Sequence, residues 1–564
     1  MRSPAPLPLL QNRAGIKSLF LFNREGIWQW GMCVVVFFLL AFTASGQSRY
    51  RVYFKNKQTT FNPYKYFDAK AITRRINHNL LLTDSTDFPV NPSYISTVTN
   101  LADSIGIVSR WFNFMAIYTN DARAKKIKQL PFVAKVERME YPLLRGVPKA
   151  ATAGCVNYKP ELPLDSFIKP ANAKLLYLQI ALMQGKEFIT SGLNGKGVRV
   201  AIFDAGFPNV NTANVFEDIV KENRIISTYN FGRKNSYVYS YNAHGAMVMA
   251  CIGGKINGRN IGLATAAEFL LAITENPSFE AYKEEENWLA AAEWADKNGA
   301  DIINSSLGYT DDLYFTEDMN GRQSLIGRAA TMAVKKGILV VSAAGNEGSG
   351  KWEIVASPGD VDSVLTIGAV DPFNGYHAEY SSYGPNRNMK IKPNVSAAGK
   401  VLSFDRNHLG VADGTSFASP LVAGFAACVL QQTPSLKNFE LYKQIEQSGS
   451  LYPYYDYAHG YGVPQATYFV GEKDTVAPTF TVTAASGYVK VTLDSIYFSA
   501  AKELSEKLVY YHIEGPTGVL EKYYVVRADN INVLDIDTIE FSIGSVLRIH
   551  YRGYTYAHII KGSE

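Results

Sequence analysis

The chain has 564 residues, 47% hydrophobic and 19% charged, so it can bury several cores, is too apolar for a disordered polymer, and should hold two to four domains. Its formal net charge is only +5 and its Lys and Arg residues are dispersed, which leaves nucleic-acid binding without compositional support. The 35 Tyr and 30 Phe agree with β-rich accessory domains and an extracytoplasmic life. In chain order, the first predicted element is the apolar run Val34 to Phe42, preceded by Arg13, Lys17 and Arg24 and followed by Ala44-Ser45-Gly46. This pattern reads as a secretory signal over 1–46, cut before Gln47. A membrane anchor is the competing reading, but the run is shorter than the roughly 20 residues that span a bilayer. Loss of Cys33 with the signal leaves Cys155, Cys251 and Cys428, an odd number that cannot form a closed disulfide framework.

Residues 47–141 read as a small α+β unit. A strand is expected at Tyr50 to Phe54, a helix from Pro92 to Ile105, and one extended run from Val108 to Tyr118. A basic helix from Ala122 to Leu130 and a strand from Phe132 to Glu137 follow. Residues 142–173, broken by prolines and small residues, read as a linker suited to cleavage.

From 174 to 470 short buried strands alternate with helices. Strands are expected at 198–204, 225–229, 268–273, 301–305, 338–343 and 364–369, and amphipathic helices at 284–297 and 324–336, stopped by Gly299 and Gly337. Such alternation predicts an α/β fold, a parallel sheet with helices on both faces. Residues 471–564 change to alternating strands between Gly and Asp turns, which predicts a C-terminal β-sandwich.

Four segments of the 174–470 region carry candidate chemistry. Val198 to Gly206 is a buried strand that ends on Asp204, where open parallel sheets place their sites, although a lone Asp there is also an ordinary turn starter. Asn242 to Gly254 is a small-residue helix with His244 at its start. Gly337 to Gly348 is a strand that ends in a glycine-flanked amide, Asn346, which could equally hold a left-handed turn. Gly414-Thr415-Ser416-Phe417-Ala418-Ser419-Pro420 opens another small-residue helix and puts Ser416 where unpaired N–H groups and the helix dipole favour a developing negative charge. Taken alone, that serine is a helix N-cap.

Together these segments resemble the subtilisin-like serine protease family, which arranges aspartate, histidine, oxyanion asparagine and nucleophilic serine in this chain order. Chymotrypsin-type and α/β-hydrolase orders fit worse. The resemblance spans roughly residues 175 to 470 and is nearest to secreted Bacteroidetes-type members, with departures at Ala205, Ala246-Met247 and Phe417. It implies Asp204, His244, Ser416 and Asn346 as catalytic residues. Ser306, Leu307 and Gly308 would lie along the substrate backbone, and Ala343, Ala344 and Gly345 would wall the pocket before the scissile bond. Glu347 would stand near the rim and the floor would lie within Trp352 to Ser357; small walls imply apolar or aromatic preference. Asn304 is a rival amide, read as structural. The resemblance also makes 47–141 a propeptide, against a plain reading as a permanent accessory domain. The expected function is secreted endopeptidase action on proteins and peptides, with no nucleic-acid partner and no stable membrane span in the mature chain; an inactive binding protein with the same fold is the alternative. No cofactor is needed for that chemistry, no Cys/His spacing marks a metal site, and a structural calcium of the family kind would leave no sequence pattern.

Overall fold

The computed structural model describes residues 48–57, 60–139, 157–163, 169–275, 281–310, 313–471, 476–485, 487–501, 504–529 and 531–561. The expected signal segment and Cys155 lie outside them. Seven parallel strands form the central sheet, in the spatial order Val395–Ala398, Leu365–Val370, Leu339–Ala343, Ile302–Ser305, Arg199–Asp204, Glu268–Ile273 and Ile225–Asn230. Because side chains alternate along a strand, Val200 and Ile202 enter one core while Ala201 and Phe203 enter the other. The first core holds helices His244–Gly253 and Thr415–Gln432, and the second holds Ala281–Lys297 and Leu325–Lys335. The first pair packs very closely: a Cβ added to Gly424 would sit 2.9 Å from the carbonyl oxygen of Ile252.

The N-terminal unit is a four-stranded antiparallel sheet ordered Ser104–Ser109, Phe114–Thr119, Ser48–Phe54, Val133–Met139. Tyr50 and Val52 face its own helices, Pro92–Leu101 and Asp121–Lys128, whereas Arg49 and Arg51 on the opposite face meet Glu286 of the 281–297 helix. The run expected to be one extended segment from Val108 to Tyr118 is a hairpin instead. It turns at Arg110 to Asn113, with Asn113 in the left-handed region at φ 52°. Two further helices, Pro63–Tyr66 and Ala69–Asn77, have no counterpart in the sequence reading.

Part of the 142–173 stretch is also structured. Asn157–Pro163 pairs antiparallel with His408–Asp413 as the edge of a three-stranded sheet, and its prolines occupy the kind of edge position where a missing N–H is tolerated. At the C-terminus, a three-stranded and a four-stranded antiparallel sheet share one core, built on Val491, Ile513 and Ile549 among others. This matches the expected sandwich.

The sandwich meets the body through Leu451 and Tyr454 against Leu508 and Tyr510. Histidines surround this contact. Burial, with the neighbouring His459, lowers His377 to about 4, and burial alone lowers His550 to about 4. Both lie below the ordinary value near 6.5, so on acidification the unfolded chain binds protons first and stability must fall between about pH 6.5 and 4, by up to about 1.4 kcal/mol per pH unit for each group. Denaturant unfolding at several pH values should show this slope, and a chain carrying His377→Gln and His550→Gln should show a shallower one.

Candidate active site

The carboxyl ends of the central strands gather the candidate residues. Asp204 closes its strand fully buried, with one carboxylate oxygen accepting from the Ala205 N–H at 2.7 Å. His244 is the first residue of its helix, and its backbone N–H donates to Asn242 Oδ1 at 2.9 Å. Its Nδ1 lies 2.9 and 3.0 Å from the two oxygens of Asp204, which fixes the ring, while its Nε2 is buried without a hydrogen-bond partner among the described residues. The His244 ring centroid is 5.5 Å from that of Phe417, the residue after Ser416.

Ser416 is the second residue of helix Thr415–Gln432, and its Oγ donates to the Ser306 carbonyl at 3.2 Å. In return Ser306 Oγ donates to the Ser416 carbonyl at 2.9 Å. Pro420 explains this second bond. In a regular helix the N–H four residues on would pair with the Ser416 carbonyl, but proline has none, and on this buried stretch of helix the orphaned oxygen needs another donor. Ser306, expected on the substrate backbone, therefore also braces Ser416 through its side chain.

Asn346 turns its amide oxygen to Thr415, accepting from the backbone N–H and from Oγ1, both at 2.9 Å. Its Nδ2 end is thereby directed away from Thr415. Asn304 is buried, donating to Ser306 Oγ at 3.0 Å and accepting from Ser419 Oγ at 2.8 Å, so both ends of that amide serve the packing under the site. Leu307 and Gly308 pair with no backbone group among the described residues, whereas Ala344 is bonded on both sides, to the Ile367 carbonyl and from the Ala356 N–H, each at 2.9 Å. Ala343 ends its strand, and the Gly345 N–H donates to Thr415 Oγ1 at 3.3 Å.

One nearby group escaped the sequence reading. Glu275 follows strand Glu268–Ile273, beside Thr274, whose N–H donates to the Asp204 carbonyl at 3.1 Å. Burial first, then the charges of Asp204 and Glu284, push the Glu275 carboxyl well above its ordinary range. Its only local signal is a carboxylate just past a buried strand. Burial also pushes the Cys251 thiol up to about 12 and raises Cys428, which leaves both as core hydrophobes. Among the described residues no group of three or more His, Cys, Asp or Glu is placed to hold a metal ion.

The fold is that of the subtilisin-like serine peptidases. Residues 195–462 match the subtilase family, peptidase family S8, and residues 49–152 match the S8 propeptide domain of Bacteroidota. The chain thus carries a subtilase-family domain behind a propeptide domain. It is 28% identical over 274 residues to subtilisin DY of Bacillus licheniformis, covering 48% of this chain and 90% of that one. It is 29% identical over 274 residues to a thermostable alkaline protease of Halalkalibacterium halodurans, covering 48% and 67%. The fold is similar to that of fervidolysin from Fervidobacterium pennivorans, with a TM-score of 0.51 at 16% identity over 89% of this chain and 70% of that one. No helix of the described residues is long and apolar enough to cross a membrane.

Ser306→Ala should lower stability by about 1–3 kcal/mol, the cost of leaving a buried acceptor unsatisfied. Adding Pro420→Ala returns an N–H to the Ser416 carbonyl and should recover part of that loss. Equal unfolding midpoints for the single and double variants would contradict this account.

Proposed function

We propose that the protein is a secreted endopeptidase working through a covalent acyl-enzyme, with Asp204, His244 and Ser416 as its triad. The observation that carries this reading is a histidine ring fixed by a buried carboxylate, with its other nitrogen buried and unpartnered close to the start of the serine helix. Ser416 Oγ leaves the Ser306 carbonyl, passes its proton to His244 Nε2 and bonds to the substrate carbonyl carbon. His244 returns the proton to the departing amine as the C–N bond breaks, and water then repeats the sequence to release the acid. Asp204 holds the imidazole and stabilises its charged form. The oxyanion is held by Asn346 Nδ2 and the Ser416 backbone N–H, which sits in the first helical turn where N–H groups lack intrahelical partners.

An extended substrate pairs with the backbone of Leu307 and Gly308, which bonds to no other backbone group among the described residues, so recognition is mainly of backbone. Ala343, Ala344 and Gly345 wall the pocket before the scissile bond and leave room for apolar or aromatic side chains. The chemistry draws on no cofactor, and a calcium ion would serve the fold alone. Secretion is supported by the apolar run 34–42 followed by Ala44-Ser45-Gly46. In this reading 47–141 is the propeptide, 142–173 the connector, 174–470 the protease and 471–564 an accessory sandwich.

A fluorophosphonate probe should label the wild-type protein and leave Ser416→Ala unlabelled; labelling that persists in the variant removes Ser416 as nucleophile, and absence of both labelling and peptide cleavage in the wild type favours the inactive binding protein. Asn346→Ala should keep the fold and lose about 10²–10³-fold in turnover, since its donor acts on charge present only in the transition state. A larger loss in a folded Asn304→Ala chain would reassign the oxyanion amide.

A further inference from the structure

Two loops of the body, one after strand Leu365–Val370 and one at 451–462, carry two histidines side by side. His377 is pinned by an antiparallel bridge to Val370, and the next N–H, of Ala378, donates to the Ala369 carbonyl at 2.9 Å. His459 is set by Asp456, whose Oδ1 accepts from the backbone N–H groups of Ala458 at 2.9 Å and His459 at 2.6 Å, a local turn that aspartate favours. The two ring centroids stand 5.9 Å apart with their planes at 76°. Tyr383 lies against His377 with centroids at 4.4 Å, and Tyr510 of the sandwich lies against His459 at 5.6 Å. Tyr376, next to His377, packs on the contact that Leu451 and Tyr454 make with Leu508 and Tyr510. The pair therefore sits at the seam between body and sandwich.

Each ring has one nitrogen engaged and one left over. His459 Nδ1 lies 3.1 and 3.0 Å from the two oxygens of the buried Asp456, so it donates, and the neutral ring keeps its lone pair on Nε2. The His377 ring hydrogen-bonds the Ser381 backbone, and since its Nε2 has no partner among the described residues that bond falls to Nδ1. Both Nε2 atoms are buried, and neither has a hydrogen-bond partner among the described residues. His244 Nε2 shares this condition, but the proton transfer proposed above uses it, whereas nothing in that chemistry uses His377 or His459. Buried polar atoms of folded proteins are nearly always paired, so two orphans on neighbouring rings call for an occupant. Histidines that bind a metal ion are held in this manner, the far nitrogen donating to a carboxylate or a backbone carbonyl and the other left for the ion. Imidazole nitrogen takes zinc at about 2.0–2.1 Å, which places the centroids of two rings on one ion roughly 5–6 Å apart. The observed 5.9 Å falls in that range. Nitrogen ligands suit zinc and copper, while calcium and magnesium take oxygen.

We propose that His377 and His459 hold one divalent ion of the zinc or copper kind through their Nε2 atoms, with water completing its coordination, and that this ion fastens together the two loops on which the sandwich rests. Asp456 is a positioning residue: it fixes the His459 ring and tautomer and places a negative charge behind the ligand. Two protein ligands are fewer than the four of a closed structural zinc site, so the affinity is modest and occupancy follows the metal supply. Because the two histidines are 82 positions apart in the chain and meet only in the fold, the ion binds the folded protein and stabilises it by mass action.

The test uses the untagged full chain with Ser416→Ala, stripped of metal by a chelator and then titrated with Zn²⁺ at neutral pH. Calorimetry should find an equivalent bound in the micromolar range that is lost in His377→Gln and in His459→Gln, and Zn²⁺ should raise the melting temperature of the parent but not of these two variants. Asp456→Asn, which keeps both ligands and loses the carboxylate, should weaken Zn²⁺ binding by about 10–100-fold. Cu²⁺ should compete for the same site and bind more tightly. His408→Gln, at an exposed histidine elsewhere on the body, should match the parent. Melts without metal establish that each variant is folded, and the two ligand variants lie in different loops, so loss of one still leaves a test. Absence of any Zn²⁺-dependent shift in the parent, or survival of the bound equivalent in a folded His377→Gln or His459→Gln chain, overturns the proposal; the first of these results leaves water as the partner of the two Nε2 atoms. No readout depends on peptide cleavage, so failure here is distinct from failure of Ser416 as the nucleophile.

Discussion

The structure depends on one constraint: a helix running through the body that is buried over nearly its whole length. Every residue from Thr415 to Leu430 is buried, so each polar group on that helix must find a partner inside the protein. Small residues let it approach the His244–Gly253 helix closely enough for Gly424 to press on the Ile252 carbonyl. That contact sets where His244 stands relative to Ser416. Pro420 removes one helical bond within the same element, and the Ser306 hydroxyl replaces it. The Ser416 backbone is thereby tied to the strand beside which a substrate would lie. Packing, backbone satisfaction and the position of Ser416 are one problem with one solution.

Charge is distributed by the same economy. On the site side of the sheet, Asp204 is tied to His244, and burial and two carboxyl neighbours raise the Glu275 carboxyl well above its ordinary range. On the far face, the 281–297 helix keeps its carboxylates buried because the N-terminal unit brings arginines to them: Arg49 and Arg51 at Glu286, Arg110 near Glu293, and three arginines at Asp296. A helix with this many buried acids is costly on its own. It is complementary to one partner, carried in the same chain, and the alternation of the first strand shows how that partner is made: Tyr50 and Val52 build its core while Arg49 and Arg51 build its contact.

Much of this organisation was legible in the sequence. The parallel sheet, the small-residue helices and the C-terminal strands announce themselves through local periodicity, because a strand buried on both faces must be apolar at nearly every position and a close-packed helix must be small. The segments around Asp204, His244, Asn346 and Ser416 could be singled out for the same reason: each places a polar residue abruptly at the end of a buried element. Other features gave no local sign. The helix at 69–77 is polar and short, and is ordered by Asp296 and the carbonyls of Ala300 and Lys336, more than 200 residues away. Strand Asn157–Pro163 contains two prolines and forms by pairing with 408–413. The Val108 to Tyr118 run has continuous β propensity, and only its pairing with itself across Arg110 to Asn113 shows it to be a hairpin.

By itself, then, the sequence determined which segments are buried, which period each follows and which polar groups interrupt them, since these are local consequences of hydrophobicity and chain geometry. Tertiary structure alone decided that His244 Nδ1 meets Asp204, that Ser306 repairs the bond Pro420 breaks, that Glu275 is buried and its carboxyl raised by Asp204, and that Arg74 closes two helices at once. Each of these depends on a partner brought near only by the fold, and on the low-dielectric interior that makes an unpaired charge or hydrogen-bonding group too costly to leave alone.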